Sequence, residues 1–388
     1  MGKINGYDLV TEFTNKDAGM SEWAFAKKGG KDYFIKRYLT PKYPIEGSPG
    51  SLETKKRKKE KCERFENHHK SIIQKLKTKI VEGEGASINS PVDFFRMDTR
   101  YFKVLPKINI SGLTIEEISR IDIKKKNIML RFVMMGMKIL DDLSIVHGDL
   151  KPANILIKEP TPGIFSTTII DLDSGYFSGS PPGWEEDTEE IGGDQTYYSP
   201  ELLQYVKKSS RIKPEDMTIK SDMFSLGIII HQYLTGEFPD FNKGKYDSVA
   251  TAVLNGESIN IEDTIPDYLR ILIKSMLNLD YTKRPNASYV FEVLKNPEMI
   301  KTETLKIVSS HLEEKKDDSD TKDLKKDEGS LKIEKGESLH KEDTTSKGEE
   351  TKPSTTIKIN MGKRTTVKSE PKEEGSGVKI KFGKGFGK

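Results

Sequence analysis

Three polar side chains suited to phosphoryl transfer lie in one short segment. Asp149, Lys151 and Asn154 belong to the run His-Gly-Asp-Leu-Lys-Pro-Ala-Asn, which apolar residues flank on both sides. A carboxylate accepts the proton of a hydroxyl nucleophile, an ammonium balances charge on a moving phosphoryl group, and an amide oxygen binds a divalent cation. The spacing predicts a catalytic loop in which Asp149 is the base, Lys151 stabilises the transferring group, and Asn154 acts in catalysis and binds metal.

A second carboxylate follows two apolar residues further along the chain. Ile169 and Ile170 precede Asp171, which is typical of a buried strand that delivers a carboxylate to a cleft. Carboxylate and amide oxygens suit Mg²⁺, so Asp171 joins Asn154 as a predicted metal ligand. For Asp173 we expect contact with a second Mg²⁺ or the capping of a local turn. A register with Asp173 as the ligand fits the hydrophobic pattern less well.

These two segments resemble those of the protein kinase family. Residues 147–154 match the catalytic-loop signature H-R-D-L-x-x-x-N, and Asp-Leu-Asp at 171–173 stands where the family has D-F-G. Leu172 keeps the apolar character of the family's phenylalanine. The resemblance extends over about residues 9–297.

Three later landmarks follow in the family's order. Thr-Tyr-Tyr-Ser-Pro-Glu, residues 196–201, resembles the peptide-positioning loop that ends in A-P-E. Asp222 resembles the aspartate that braces the catalytic loop, and Arg284 resembles the late arginine that pairs with Glu201. Lys151 and Thr196 point to serine or threonine acceptors rather than tyrosine.

The resemblance also implies a set of nucleotide-binding residues. Lys36 ends the run Tyr-Phe-Ile-Lys, where the family has the strand lysine that binds the α- and β-phosphates. A carboxylate should hold that lysine. Glu60, Glu63 and Glu66 on the following predicted helix are candidates, and we favour Glu66 because it lies near the apolar face.

Two further nucleotide contacts are expected. The first is Gly19, the only glycine in residues 15–26, where the family has the phosphate-covering turn G-x-G-x-x-G. The second is Leu156, just after the catalytic loop. Phe34 replaces the small residue that the family has against the adenine. For Trp23 we weigh a lid over the nucleotide against simple packing, and favour packing.

Gly148 stands where many members of the family have an arginine that binds a phosphate on the activation loop. Residues 185–190 read Glu-Glu-Asp-Thr-Glu-Glu, so a phosphate on Thr188 would meet like charges. We therefore expect activity not to require phosphorylation of Thr188.

The resemblance implies a Ser/Thr protein kinase that transfers the γ-phosphoryl group of ATP to a protein hydroxyl, with Mg²⁺ as metal. The alternative is a kinase-shaped binding module without turnover, because the glycine turn is degenerate. A small-molecule kinase with a His-Gly-Asp loop is a third reading, which the peptide-loop landmarks oppose.

Strand-like segments precede helical ones, which predicts an α+β, bilobal protein-kinase-like fold. Strands are expected around residues 33–39, 92–95 and 101–105, and helices over 54–77 and 128–140. We assign residues 1–108 to a small antiparallel-sheet N-lobe and 109–300 to a larger, mainly helical C-lobe. A nucleotide would lie in the cleft between them.

Residues 301–388 form a highly charged segment whose only aromatic residues are Phe382 and Phe386. Such a composition predicts a disordered tail. Ile-Lys-Ile-Asn-Met-Gly-Lys at 357–363 is echoed by Val-Lys-Ile-Lys-Phe-Gly-Lys at 378–384. The repeat predicts either a strand added to a partner's sheet or a solvated tail with chance repeats.

Composition narrows the class of protein. The net charge of +3 gives no basic field that would indicate nucleic-acid binding. Cys62 is the only cysteine, which fits a reducing compartment, and no segment is long and apolar enough for a membrane span. The expectation is a cytoplasmic protein that binds neither nucleic acid nor membrane.

Overall fold

The computed structural model describes residues 2–16, 21–47, 49–80, 87–181 and 193–300. The chain divides into two units, Met1–Lys322 and Asp323–Lys388, and the described residues all belong to the first. Gly19, the acidic run 185–190 with Thr188, and the tail 301–388 lie outside the described residues. What the sequence indicates for those segments stays a prediction.

The N-terminal part is an antiparallel sheet with the strand order β1-β2-β3-β4-β6-β5. Its strands are β1 (Lys3–Ile4), β2 (Tyr7–Leu9), β3 (Ser21–Lys28), β4 (Lys31–Tyr38), β5 (Asp93–Met97) and β6 (Arg100–Pro106). Strands β4, β5 and β6 confirm the three predicted segments. Residues 21–26, which the sequence placed in the phosphate-covering loop, instead form most of β3.

Alternation along β4 gives this sheet two different faces. Ile35 is fully buried and packs with Ala26 and Val104 in the core of the sheet. Lys36, the next residue, must point to the opposite face because side chains alternate along a strand. It lies opposite Trp23 on β3 and Lys103 on β6, so these three side chains share one face.

Helix α1 (Leu52–Lys77) confirms the predicted helix and packs against the sheet. Ser51 caps it, because its side chain accepts a hydrogen bond from the backbone N–H of Thr54 at 3.1 Å. The face against the sheet holds Cys62, His69 and Ile73, while the opposite face is charged. Burial of that one face fixes the rotation of the helix about its axis.

The remainder is mainly helical, with two short antiparallel ladders. The helices are α2 (Ile115–Ser119), α3 (Ile123–Asp142), α4 (Pro200–Val206), α5 (Lys220–Thr235), α6 (Val249–Leu254), α7 (Asp267–Met276) and α8 (Ala287–Lys295). The ladders pair β7 (Ile145–Val146) with β10 (Tyr176–Phe177), and β8 (Ile155–Thr161) with β9 (Ile164–Ile169). Residues 221–233 of α5 are all buried, as expected for a central helix.

The architecture confirms the predicted α+β, bilobal fold: an antiparallel sheet with one long helix, followed by a mainly helical lobe. The predicted helix at 128–140 lies within α3. Each helix in the described part of the chain is too short or too polar to cross a lipid bilayer.

Candidate active site

The loop between β7 and β8 is held from behind by a buried carboxylate of helix α5. The backbone N–H of His147 donates to Asp222 Oδ2 at 2.6 Å, and that of Gly148 donates to Asp222 Oδ1 at 3.1 Å. The His147 ring lies 2.9 Å from the carbonyl oxygen of Ile170, at the end of β9. Asp222 and His147 thus fix the backbone that carries Asp149.

Burial gives Asp222 an unusual titration. Desolvation raises its pKa from 3.8 to about 6, although the two N–H donors act in the opposite direction. Because the folded protein holds this proton more tightly than the unfolded chain, the group makes the free energy of unfolding fall as pH rises from about 4 to about 6. The fall is of the order of 3 kcal/mol, and the slope levels off only above pH 6, once Asp222 has lost its proton in the folded protein as well.

Denaturant unfolding of the wild type and of Asp222→Asn between pH 4 and pH 7 checks this expectation. The amide does not titrate, so the variant lacks this contribution. An identical pH dependence in both proteins would contradict the assignment.

Position 148 is sterically crowded and has a backbone conformation that favours glycine. Gly148 has φ of 77°, in the left-handed region that side chains other than glycine rarely adopt. A Cβ atom there would lie 2.5 Å from the backbone oxygen of Ser174. In this loop conformation, any side chain at position 148 would be strained and would clash with the backbone of Ser174.

We expect Gly148→Ala to lower the free energy of unfolding by about 2–5 kcal/mol, combining left-handed strain with overpacking. Gly163→Ala is the matched control, because Gly163 has φ of 82° but nothing within 4 Å of the added Cβ. It should lose only about 1–2 kcal/mol. Equal losses, measured by denaturant unfolding, would show that contact with Ser174 is not the cause.

The three predicted catalytic-loop residues converge on one carboxylate. Lys151 Nζ donates to Asp149 Oδ2 at 2.8 Å, and Asn154 Nδ2 donates to the backbone oxygen of Asp149 at 2.8 Å. Asp149 Oδ1 accepts a hydrogen bond from the backbone N–H of Asp194 at 2.9 Å. Only 16% of the Asp149 side chain is exposed. Its orientation is therefore fixed by groups on both sides.

Asp171 lies next to this loop, at the end of β9. The backbone N–H of Ile170 donates to the carbonyl oxygen of Asn154 at 2.9 Å. Asp171 itself has φ of 63° and ψ of 62°, and 38% of its side chain is exposed. The chain path thus brings the two predicted metal ligands together at a partly open position.

The donor set at this position fits a magnesium ion. The amide nitrogen of Asn154 is committed to Asp149, so its amide oxygen is the atom left to bind metal. Within the described residues, no three His, Cys, Asp or Glu side chains cluster as a metal site. One carboxylate and one amide oxygen, completed by phosphate and water, is the kind of ligand set that Mg²⁺ prefers.

Lys36 reaches this site from the sheet. Its Nζ donates to Asp171 Oδ1 at 2.6 Å and to Asp173 Oδ2 at 2.7 Å. Burial lowers the pKa of Lys36, but the carboxylates of Asp173 and Asp171 raise it by more, so the net shift is upward. Lys36 is therefore a charged group at the cleft.

The expectation that Glu66 holds Lys36 is wrong. Glu66 accepts from Lys70 Nζ at 2.6 Å, one turn further along α1. Phe65 and His69 occupy the face of α1 that packs against the sheet, with Phe65 5.2 Å from the ring of Tyr38. Glu66 lies on the same face of the helix and is only 23% exposed, but its carboxylate pairs with Lys70 instead of Lys36.

Asp173 neither caps a turn nor is left free for a second metal ion. Its Oδ2 accepts from Lys36, while Oδ1 accepts from Lys103 Nζ at 2.7 Å and from Tyr38 Oη at 3.0 Å. Burial raises its pKa, but the two lysines hold it well below its usual range. Lys103 is the residue that the sequence reasoning missed. A lysine inside the apolar run Tyr-Phe-Lys-Val-Leu was the available signal, because buried lysines are rare unless paired.

Aromatic side chains cover the part of the same sheet face next to Lys36. The Trp23 and Phe34 rings stack at 5.5 Å, and Phe25 contacts both rings edge-on. Trp23 Nε1 donates to the backbone oxygen of Lys16 at 2.9 Å, so Trp23 packs within the sheet. Leu156 is half-buried on β8, opposite Thr168.

The predicted pairing of Glu201 with Arg284 is formed. Two guanidinium nitrogens of Arg284 bind the two carboxylate oxygens of Glu201 at 2.6 and 2.8 Å, and both side chains are almost completely buried. The bidentate ion pair joins α4 to the segment before α8. It anchors the end of the loop that begins near Asp194.

The two-lobed fold, with a lysine from the sheet facing a carboxylate-rich loop of the helical lobe, defines a protein-kinase-like molecule. A family model described as the protein kinase domain matches residues 92–297, more than half of the chain. The chain belongs to the protein kinase family.

Several serine/threonine-protein kinases are similar to this chain. Serine/threonine-protein kinase dkf-1 of Caenorhabditis briggsae is 29% identical over 159 residues, which are 40% of this chain and 19% of that protein. A calcium and calcium/calmodulin-dependent serine/threonine-protein kinase of Pisum sativum is 33% identical over 171 residues, which are 42% of this chain and 28% of that protein. The chain thus matches less than a third of the length of either relative.

Proposed function

We propose that this protein is an active Ser/Thr protein kinase, which transfers the γ-phosphoryl group of ATP to a protein hydroxyl. The observation that carries the proposal is the convergence of Lys36, Asp171, Asn154 and Asp149. Lys36 is far in sequence from the other three, and all four are linked by direct hydrogen bonds or by adjoining backbone. Family membership supports kinase chemistry, and the resemblance to serine/threonine-protein kinases supports the acceptor class.

The roles follow from the chemistry of each group. Asp149 orients the acceptor hydroxyl and takes its proton, because its carboxylate is fixed from both sides. Lys151, 2.8 Å from that carboxylate, offsets negative charge on the phosphoryl group during its transfer. Lys36 binds the phosphates of the nucleotide. Catalysis of this kind is mainly placement and electrostatic stabilisation.

The cofactors proposed are ATP and Mg²⁺. Asn154 and Asp171 would hold the metal ion, which supplies positive charge next to the phosphates when bound. Gly19 and Leu156 remain proposed contacts for the nucleotide. The aromatic stack of Trp23 and Phe34 borders that side of the cleft, so the base would meet a flat apolar surface rather than a small side chain.

A polypeptide acceptor is supported by a pocket next to the catalytic loop. The cavity, of about 360 Å³, is lined by Thr196, Phe238, Phe241, Lys243, Tyr246, Asp247 and Val249. Thr196 is two residues from Asp194, whose backbone N–H binds the Asp149 carboxylate. An extended chain with its hydroxyl at Asp149 would thus lie within reach of a pocket that has aromatic and charged walls.

The test is transfer of label from γ-labelled ATP to a mixture of generic protein substrates, followed by phosphoamino-acid analysis. We expect labelled phosphoserine or phosphothreonine with the wild type and only background with Asp149→Asn. Labelled phosphotyrosine alone, or equal labelling by both proteins, would refute the assignment.

The second candidate is a kinase-shaped binding module. The direct contact of 2.6 Å between Lys36 and Asp171 favours it, because that contact occupies an oxygen of a proposed metal ligand. Binding of ATP without any transfer to protein would support this candidate over the enzyme.

A further inference from the structure

A buried four-residue network joins the sheet to the segment that follows β9. Asp173 lies at its centre and accepts hydrogen bonds from Lys36 and Lys103, both at 2.7 Å, and from Tyr38 at 3.0 Å. Only 3% of the Lys103 side chain and 25% of that of Asp173 are exposed. All four residues belong to one compact unit of the chain.

The charges balance when Asp171, the other carboxylate that Lys36 contacts, is counted with this network. Lys36 and Lys103 carry two positive charges, and Asp171 and Asp173 carry two negative charges. A lysine as buried as Lys103 is costly unless a carboxylate pairs with it, and breaking such a pair is more costly than never having formed it. Asp173 is the partner that makes a buried lysine at position 103 tolerable.

The geometry also fixes Lys36. Helix α1 does not supply a carboxylate to it, because Glu66, the candidate on its inward face, binds Lys70. Lys36 therefore has two carboxylate partners in the described structure, Asp171 and Asp173. If Asp171 serves as a metal ligand, Asp173 is the partner that remains with the lysine.

We propose that Asp173 is the positioning residue for Lys36, with its second oxygen locked by Lys103 and Tyr38. This inference rests on the proposed function, since it assigns to Lys36 the binding of nucleotide phosphates. One short segment then serves both lobes: Asp171 faces the metal ligand Asn154, and Asp173 two residues later orients the sheet lysine. The orientation of the lysine does not depend on any carboxylate of α1.

The experiment measures the affinity for ATP with Mg²⁺ by calorimetry and the thermal unfolding temperature, in the full chain. We expect Asp173→Asn to weaken ATP binding at least tenfold and to lower the unfolding temperature. Glu63→Gln is the matched carboxylate control, because Glu63 is an exposed residue of α1 that pairs with Lys59. It should change neither quantity.

Two double variants separate positioning from simple charge balance. In Asp173→Asn with Lys103→Met, no buried lysine lacks a partner, so the unfolding temperature should recover towards that of the wild type while ATP binding stays weak. In Asp173→Asn with Lys36→Met, no lysine is left to position, so ATP binding should be no weaker than in Lys36→Met alone.

Recovery of wild-type ATP affinity in the double variant lacking Lys103 would overturn the inference. So would losses of ATP affinity that add up when Asp173→Asn is combined with Lys36→Met. An Asp173→Asn variant with wild-type ATP affinity would overturn it too. Failure of the wild type to bind ATP would overturn it as well. ATP binding that follows the expected pattern without phosphoryl transfer would refute only the proposed function. If the wild type transfers phosphoryl groups to protein but Asp173→Asn leaves its ATP affinity unchanged, only this inference is refuted.

Discussion

Asp149→Asn is expected to lower kcat for protein phosphorylation about 10²–10⁴-fold, the usual contribution of a positioned general base. The amide cannot take the proton of the acceptor hydroxyl. It keeps the shape of the side chain and an oxygen that can accept from the backbone N–H of Asp194, as Asp149 does at 2.9 Å. Steady-state transfer to a protein substrate, with saturating ATP, measures the change.

The control for this variant is its nucleotide affinity and its thermal unfolding temperature, both of which should remain near the wild-type values. Asp149 contacts Lys151 and Asn154 within the catalytic loop, and the proposed phosphate contact, Lys36, lies outside that loop. A variant that keeps more than a tenth of the wild-type kcat would contradict the role of Asp149 as base.

Arg284→Met should lower the free energy of unfolding by about 3–5 kcal/mol, because it leaves the Glu201 carboxylate buried without its partner. The guanidinium group is fully buried and binds both oxygens of Glu201. It also donates to the backbone oxygens of Asn278 and Lys220 at 2.8 Å, so several acceptors lose their donor together. Denaturant unfolding, compared with the wild type, gives the difference.

The matched control for Arg284→Met is the double variant Glu201→Leu with Arg284→Met. Replacing a whole buried ion pair by apolar side chains of similar volume is often neutral or stabilising. We therefore expect the double variant to recover a large part of the lost stability. A double variant less stable than Arg284→Met alone would show that the unpaired carboxylate is not the cause of the loss.

The parts of the site carried by consecutive residues were predictable from sequence. Asp149, Lys151 and Asn154 lie on one loop, so their spacing alone brings them together, and the structure places them within hydrogen-bonding distance of one another. The pairing of Arg284 with Glu201 was predictable only through the resemblance to the kinase family, in which a late arginine pairs with the glutamate of A-P-E. The first case depends on local spacing and the second on the family's order of landmarks.

The partner of Lys36 was not predictable in the same way. Glu66 lies on the same helical face as Cys62 and Ile73, so its place in the pattern gave no sign that it would pair elsewhere. In the structure its carboxylate binds Lys70, one turn further along the helix. The partner found in the structure, Asp173, is distant in sequence, and its contact depends on where β9 ends.

Gly148 shows a similar limit. The sequence showed that an arginine was missing, which suggested a difference in regulation. The structure adds a steric observation: with the positive φ, a side chain at position 148 would clash with Ser174. Such a contact between two loops cannot be read from either loop alone.

The central claim is that Lys36, Asp149, Asn154 and Asp171 form one site for a magnesium-bound triphosphate. A crystal structure of the full chain with Mg²⁺ and a non-hydrolysable ATP analogue tests it most directly. We expect the metal ion on the oxygens of Asn154 and Asp171, the phosphates against Lys36, and the terminal phosphate facing Asp149. A nucleotide bound elsewhere, or a metal ion that contacts neither Asn154 nor Asp171, would contradict the claim.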